Sequence, residues 1–497
     1  MENGAAPLAV IDVGSNSVRL LIAKPLPGGH LDILDDARAT LRLARVVDTH
    51  GAIPPDVLKQ TLAAIGDFVR LATYAGAESV HAVGTAALRD AANADVLAKE
   101  LRARWGINFE VLSGDAEARH ASMGAVFGLP VTDGLVLDLG GGSLLIARIE
   151  DRTPVATWSF PFGTLRLTDR FLTSDPPDED AMEALRRHVR REVRAAGVPR
   201  LGKGEVLVGT GGTVRNLANV SRRRQRYPIS RLHGHSITIR RLHRLTRLLA
   251  RMSLKERRGV RGLNADRAGI IAAGALVVDA VAAHTRTDAV LVAGQGMREG
   301  IARSQFIRKL PPVSDVRRGS VEVFAQRFGD AETNSAHHRA RLAVSLIEHL
   351  DPDAGEDVHE TVEYAAMLYN AGLQVDFYRR AGATTAILLD ANLSGFSQHQ
   401  IARVAAAARL ARRPTWEVRS LRPLLDADDE ASLHRAGAVV ALAEELRRRS
   451  APKGVRMSVK RGDLRITLPG ATTWKPRDLA ERVEAAFGVG LRVSGRG

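Results

Sequence analysis

Apolar positions in the first part of the chain fall into two textures. Short unbroken runs at 8–13, 19–23, 79–83 and 109–112 predict strands, and three-to-four spacing at about 56–74 and 115–127 predicts helices. After Gly128-Leu129-Pro130 the pattern starts afresh with another pair of apolar runs. It continues with runs at 155–160, 206–208 and 289–293 and helical spacing near 178–196 and 265–283. Strands alternating with helices predict an α/β fold. Beyond Leu310-Pro311-Pro312 the spacing becomes helical, as in Leu342, Leu346, Ile347 and Leu350. From Gly454 short runs at 457–459, 464–468 and 491–493 around a helix at 476–487 predict a small α+β tail.

One phrase occurs twice. Val10-Ile11-Asp12-Val13-Gly14-Ser15-Asn16-Ser17 and Val136-Leu137-Asp138-Leu139-Gly140-Gly141-Gly142-Ser143 each run from apolar residues through Asp to a glycine turn closed by Ser, then into a second apolar run. Each reads as a β-hairpin whose bare tip lets amides and hydroxyls approach an anion. The Asp before each tip adds a carboxylate able to hold a divalent cation against that anion. Two matching hairpins imply two related halves with a cleft between them. The boundaries fall at 1–128 and 129–312, followed by a helical domain at 313–453 and the tail at 454–497.

Four further polar turns follow apolar strands. Gly84 to Asn93 would bring Thr85 and Arg89 to a strand's C-terminal end, where ligands collect in α/β sheets. In Ser113-Gly114-Asp115-Ala116-Glu117, Ser113 suits a helix cap, and Glu117 falls in the first turn, where a carboxylate is at home for structural reasons alone. Val208 to Thr213 and Gly294 to Gly300 repeat the strand-turn-helix arrangement.

Charge adds a partner class. The 497 residues carry 71 Lys plus Arg against 56 Asp plus Glu, a formal net charge of +15. That excess suits a polyanion. Arginines bunch at 222–224 and 447–449 and along 186–194. Aromatic residues make up only 4%, poor material for stacking single-stranded bases, so a phosphate chain fits at least as well as nucleic acid, which ranks last. The absence of cysteine excludes disulfides and thiolate chemistry. No apolar stretch is long enough to span a membrane, and the first seven residues lack a signal pattern, so a cytoplasmic enzyme is expected.

From about residue 9 to 302 the ordered phrases IDVGSNSVRLLIA, GTAALRDAAN, LSGDAEAR, LVLDLGGGS, FPFGTLRLTDRF, VGTGGTVRNLA and GMREG resemble the exopolyphosphatase and guanosine pentaphosphate phosphohydrolase (Ppx/GppA) family. That family lies in the superfamily of acetate and sugar kinases, heat-shock ATPases and actin (ASKHA). The resemblance implies two ribonuclease-H-like halves and hydrolysis of terminal phosphate from inorganic polyphosphate, with guanosine pentaphosphate as a second substrate and Mg2+ or Mn2+ as cofactor. By position, Glu117 matches the glutamate that activates the attacking water and Arg89 an arginine at the phosphate site. Asp12 and Asp138 match the carboxylates associated with metal. Gly14, Ser15, Asn16, Ser17, Gly140, Gly141, Gly142, Ser143, Gly211, Gly212 and Thr213 match the phosphate-cradling loops. A homodimer is implied as well.

Two departures stand out. The family's second hairpin continues Ser-Thr-Glu, whereas Ser143 is followed here by Leu144 and Leu145. In the helical domain, which resembles an HD-like domain in layout, Tyr369-Asn370 stands where a His-Asp pair would be. Neither replaces an imidazole or carboxylate as a ligand for a hard metal. Two alternatives follow: a catalytically weak or inactive polyphosphate- or alarmone-binding regulatory protein, and an ATPase or kinase of the same superfamily.

Overall fold

A computed structural model describes residues 5–328, 333–450, 454–470 and 473–495. Residues 1–4, the start of the segment without a signal pattern, lie outside them. Residues up to 226 together with 231–316 form one compact unit, and 227–230 with 317–497 form a second.

The first sheet has the order β3-β2-β1-β4-β5, from β1 (Leu8–Val13), β2 (Ser17–Pro25), β3 (Leu31–Thr40), β4 (Ser79–Gly84) and β5 (Phe109–Val111). Helices α1 (Leu43–His50) and α2 (Pro55–Tyr74) lie between β3 and β4, and α3 (Ala86–Asp90) and α4 (Ala94–Trp105) between β4 and β5. Strand β1 is antiparallel to β2 and parallel to β4. Its unbroken apolar run reflects burial on both faces. Ala9, Ile11 and Val13 join a core with Leu43, Ile65 and Leu97, while Leu8 and Val10 meet Ile301 and Ala302. β3 is not visible in the hydrophobic pattern. It is an edge strand, mostly exposed and carrying Asp32, Asp35, Asp36 and Arg38, charges that discourage pairing with another chain.

After α5 (Gly114–Phe127) the second sheet follows, ordered β10-β11-β9-β6-β7-β8. Its strands are β6 (Gly134–Leu139), β7 (Leu144–Glu150), β8 (Thr153–Phe160), β9 (Val206–Thr210), β10 (Ser236–Thr238) and β11 (Ala289–Val292). Between β8 and β9 run α6 (Thr164–Phe171) and α7 (Glu179–Ala195); α8 (Gly211–Gln225) follows β9. Helices α9 (Ile239–Ala250), α10 (Leu254–Arg258) and α11 (Ile271–Thr285) separate β10 from β11, and α12 (Met297–Ser304) follows it.

The halves marked in the sequence exchange a helix each. Ala125, Val126 and Phe127 of α5 pack on Val136, Ala147 and Ile149 of the second sheet, whereas Ile301 and Ala302 of α12 pack on the first. The boundary at 128/129 therefore assigns α5 to the sheet it does not cover. The two helices cross in backbone contact: a Cβ on Gly124 would lie 1.8 Å from the Gly296 carbonyl oxygen, and one on Gly300 1.8 Å from that of His120. Only glycine permits this crossing.

The second unit is helical, with α13 (Val313–Phe328, which begins in the first unit), α14 (Thr333–Leu350), α15 (Glu356–Met367), α16 (Arg380–Asp390), α17 (Gln398–Arg412) and α18 (Asp429–Arg447). It closes with β12 (Arg456–Lys460), β13 (Asp463–Leu468), α19 (Arg477–Phe487) and β14 (Gly490–Gly495), where β13 lies between the other two strands.

Candidate active site

The two repeated phrases form the two hairpin tips. Each is closed by the same backbone bond, Gly14 N to Ser17 O at 3.2 Å and Gly140 N to Ser143 O at 3.0 Å. The tips meet: a Cβ on Gly142 would lie 2.5 Å from Ser15 Oγ. Gly14 to Ser17 and Gly140 to Ser143 line a cavity of about 120 Å³, together with Asp12, Glu117, Asp138, Gly211 and Gly212. This volume is far below the roughly 300 Å³ at which sites begin to enclose a drug-sized ligand. It accommodates phosphoryl groups.

Asp12 and Asp138 stand one residue before the ends of the incoming strands β1 and β6, so the two hairpins carry both carboxylates into the cleft. Burial pushes the Asp12 carboxyl up to about 6, against the pull of Arg19 and Arg298. Its Oδ1 is buried with no hydrogen-bond partner. Burial raises Asp138 as well, against Arg215 and Arg19. Gly211, at φ +88°, lets the α8 entry pass close to this group; a Cβ there would lie 2.6 Å from Asp138 Oδ1. Two half-buried carboxylates, one with a buried oxygen that has no partner, are a donor set that fits a hard divalent cation.

Glu117 sits in the first turn of α5, 8% exposed, and Ser113 caps that helix by accepting from Ala116 N at 3.1 Å. Burial pushes the Glu117 carboxyl up to about 7; the hydrogen bond and charge of Arg89 oppose this. Arg89 Nη1 donates to Glu117 Oε2 and to the Leu112 carbonyl, both at 2.8 Å. In this conformation Arg89 is therefore not on the cavity wall. It holds the glutamate instead of facing a phosphate.

Thr213 also lies off the cavity wall. It is fully buried, one turn into α8, and packs where Gly274 of α11 makes room for it; a Cβ on Gly274 would lie 2.5 Å from Thr213 Cγ2. Thr210, just before the turn, lines the cavity.

The cations on the cavity wall are Arg19, Arg215, Arg267 and Arg298, none of them singled out from the sequence. Burial lowers Arg19 and Arg267 to about 10, and lowers Arg215 with further help from Arg298. For Arg298 burial is outweighed by Glu299 and Asp36, and the net shift is upward. Its guanidinium donates to Leu20 O at 2.6 Å and Asp36 Oδ2 at 2.9 Å. Three of these arginines lie inside the quoted phrases: Arg19 follows Ser17 by two on a strand and Arg215 follows Gly211 by four on a helix, spacings that keep one face, and Arg298 lies two beyond Gly296. Arg267 has no such signal; it lies in a short 3-10 turn (Ala265–Arg267) where the spacing predicts helix. Arg222 to Arg224, the conspicuous cluster, belong to the last turn of α8, away from the cavity.

At the mouth, ion pairs join the two halves: Arg45 to Asp169 at 2.7 Å, and Arg166 to both Asp48 and Asp90 at 2.6 Å. The carboxylates are well exposed, and such pairs contribute at most about 1 kcal/mol each. They orient the rims without locking them.

Leu145 pairs directly with Asp138 across β6 and β7 and is 2% exposed. Residues opposite one another in a ladder share a face. The expected third carboxylate is thus replaced by an apolar side chain beside Asp138.

In the second unit, the place of the His-Asp pair holds a cation. Arg412 stacks over the Tyr369 ring at 3.7 Å and donates to Tyr369 O at 3.3 Å and to Asn370 Oδ1. Among the described residues, His399, Asp426 and Asp429 gather their ligand atoms within 4.8 Å. Asp429 is already engaged there by His399 at 2.7 Å, the Asp426 amide at 2.7 Å and Arg403 at 3.4 Å, a helix-start network.

Comparison with known proteins matches residues 21–308 to the model of the Ppx/GppA phosphatase family and residues 316–475 to domain III of Ppx/GppA phosphatases. Exopolyphosphatase 1 of Mycobacterium leprae is 32% identical over 312 residues, 62% of this chain and 91% of its own length. A guanosine-5'-triphosphate,3'-diphosphate pyrophosphatase of Photobacterium profundum is 26% identical over 486 residues, 95% of this chain and 93% of its own. Among solved structures, the Aquifex aeolicus Ppx/GppA family member superposes with a TM-score of 0.55 at 27% identity, covering 60% of this chain and 97% of that one.

Proposed function

The chain belongs to the Ppx/GppA phosphatase family, and on that premise we propose that it is an exopolyphosphatase-type phosphohydrolase that releases terminal orthophosphate from inorganic polyphosphate. The observation that carries this reading is a small cleft where two glycine-serine tips, four arginines and a buried glutamate converge. Phosphoryl transfer asks for positioning and charge neutralisation, plus one group to orient the nucleophile.

The terminal phosphate lies between the tips, its oxygens facing their amides and hydroxyls, with Arg19, Arg215, Arg267 and Arg298 balancing its charge. Glu117 accepts a proton from water as the water oxygen bonds to the terminal phosphorus. The bond from that phosphorus to the bridging oxygen breaks, giving orthophosphate and a chain one unit shorter. Arg89 keeps the glutamate in place and favours its ionised form. Asp12 and Asp138 would hold Mg2+ or Mn2+, which when bound supplies positive charge to the phosphate oxygens. With Leu145 in place of a third carboxylate, the proposal is weak metal binding and modest turnover rather than inactivity.

Guanosine pentaphosphate is the proposed second substrate, supported by the likeness to the Photobacterium enzyme along 95% of this chain. The likeness to exopolyphosphatase and to the Photobacterium enzyme disfavours an ATPase or kinase. A cytoplasmic location and a homodimer belong to the same proposal; light scattering of the purified protein tests the latter. The deciding experiment is steady-state phosphate release from long-chain polyphosphate, guanosine pentaphosphate and ATP with Mg2+. Release from polyphosphate is expected. Binding without release would identify a regulatory protein, and consumption of ATP alone would identify the kinase-like alternative.

A further inference from the structure

We propose that a cavity in the second unit binds a nucleotide, through its base and its phosphates, at a site separate from the hydrolytic cleft. The cavity measures about 870 Å³ and lies between α16, α17, α18 and α19. That is within the ~300–1,000 Å³ of small-molecule sites and large enough for a nucleoside with its phosphates.

Its wall carries two half-buried cations, Arg412 and Arg482, whose hydrogen bonds go to neutral oxygens, beside the carboxylates of Glu445 and Asp478. Arg412 bonds to the Tyr369 carbonyl and the Asn370 amide, and its Nε has no partner. Arg482 donates to the carbonyls of Leu410, Ala411 and Gly437 at 3.0 to 3.3 Å. Guanidiniums hydrogen-bonded to neutral oxygens keep their positive charge, and an anion held between them makes charge-assisted hydrogen bonds. The nearby carboxylate of Glu445 is engaged by Arg448 and Arg449. Lys475 and Arg477 add positive charge at the rim.

The same rim presents aromatic surface. Phe377 is 59% exposed and Tyr378 87%, ring against ring at 5.4 Å, and Trp474 stands on the cavity wall. Arg380 already stacks on Phe377 and Arg449 on Trp474, and the exposed Tyr378 ring beside them is a surface on which a base can stack while its phosphates reach the cations. A phosphate chain alone would use the arginines and leave the rings unused. The combination points to a base joined to phosphates, held where Tyr369-Asn370 and Arg412 exclude a catalytic metal.

The test uses the full-length protein and N-methylanthraniloyl-GTP followed by fluorescence anisotropy, with GTP and inorganic tripolyphosphate as competitors. Two double variants sit at the exposed rim, where folding is not at risk: Lys475→Glu with Arg477→Glu, and Phe377→Ser with Tyr378→Ser. The first is expected to weaken nucleotide binding about tenfold or more, and the second to weaken GTP by about tenfold while leaving tripolyphosphate unchanged. Hydrolysis of saturating polyphosphate should persist in both. Equal nucleotide affinity in the wild type and both variants would overturn the proposal. So would tripolyphosphate competing as tightly as GTP with no effect of the aromatic pair, which would make this a phosphate-chain site.

Discussion

Arg89 and Glu117 form a buried ion pair, with Nη1 2.8 Å from Oε2, at the junction of α3 and α5. The pair sets the ionisation of the proposed general base. Burial drives the carboxyl up to about 7, and the guanidinium is the main force in the other direction. Replacing Arg89 by Met removes that opposition. The acid limb of the pH profile of polyphosphate hydrolysis should then move upward by about one unit or more, with activity recovering at alkaline pH. An unmoved limb would assign Arg89 to packing alone.

Glu117→Gln keeps the shape of the side chain and removes its basicity. Phosphate release should fall by about two orders of magnitude or more, because general bases typically contribute ~10²–10⁴-fold. Polyphosphate binding, measured by equilibrium dialysis, should stay within a few-fold. Near-normal turnover would show that another group orients the water.

Asp12 is ionised at neutral pH at a cost, since its folded value of about 6 lies above its ordinary 3.8. The cost is absent below about pH 4 and grows as pH rises through 6. Asp12→Asn avoids it, so the metal-free variant should melt a few degrees higher than the wild type at pH 8, with the gap closing by pH 4. Activity and Mg2+ binding by calorimetry should both be lost. A lower melting temperature at pH 8 would mean that the buried oxygen has a stabilising partner.

Leu145 lies across the ladder from Asp138. Leu145→Glu, alone or with Leu144→Thr, should lower the Mg2+ concentration for half-maximal activity, because it adds a negative charge and an oxygen ligand to a hard-cation site. An unchanged metal dependence in a folded variant would remove position 145 from the metal site.

Salt should weaken polyphosphate binding steeply, as counterions released by a polyanion oppose association. The wall arginines carry that effect in the structure. Arg267→Gln should reduce the slope of log affinity against log salt by about one. Reversing Arg222, Arg223 and Arg224 to Glu at the far end of α8 should change it much less. The opposite ranking would place the substrate along the outer surface rather than in the cleft.

The sequence by itself determined the elements that are locally encoded. The run at 8–13 is β1 to the residue, and the glycine tips, the Ser113 cap and the start of α5 follow from local turn and capping chemistry. The duplicated phrase announced both halves and put Asp12, Asp138 and the tip residues in one cleft, because a hairpin's tip lies wherever its strands end. Edge strand β3 was hidden because an exposed strand needs no apolar alternation. Only the tertiary structure decided the rest. The exchange of α5 and α12 depends on glycines whose meaning is a contact some 180 positions away, and the Arg267 guanidinium lies against Gly212, where a Cβ would stand 2.4 Å from its Nη2. Arg89 likewise carried no mark of which carboxylate it would meet. Periodicity and turn chemistry report on neighbours along the chain, whereas burial, charge balance and close backbone approach are set by residues that meet only after folding.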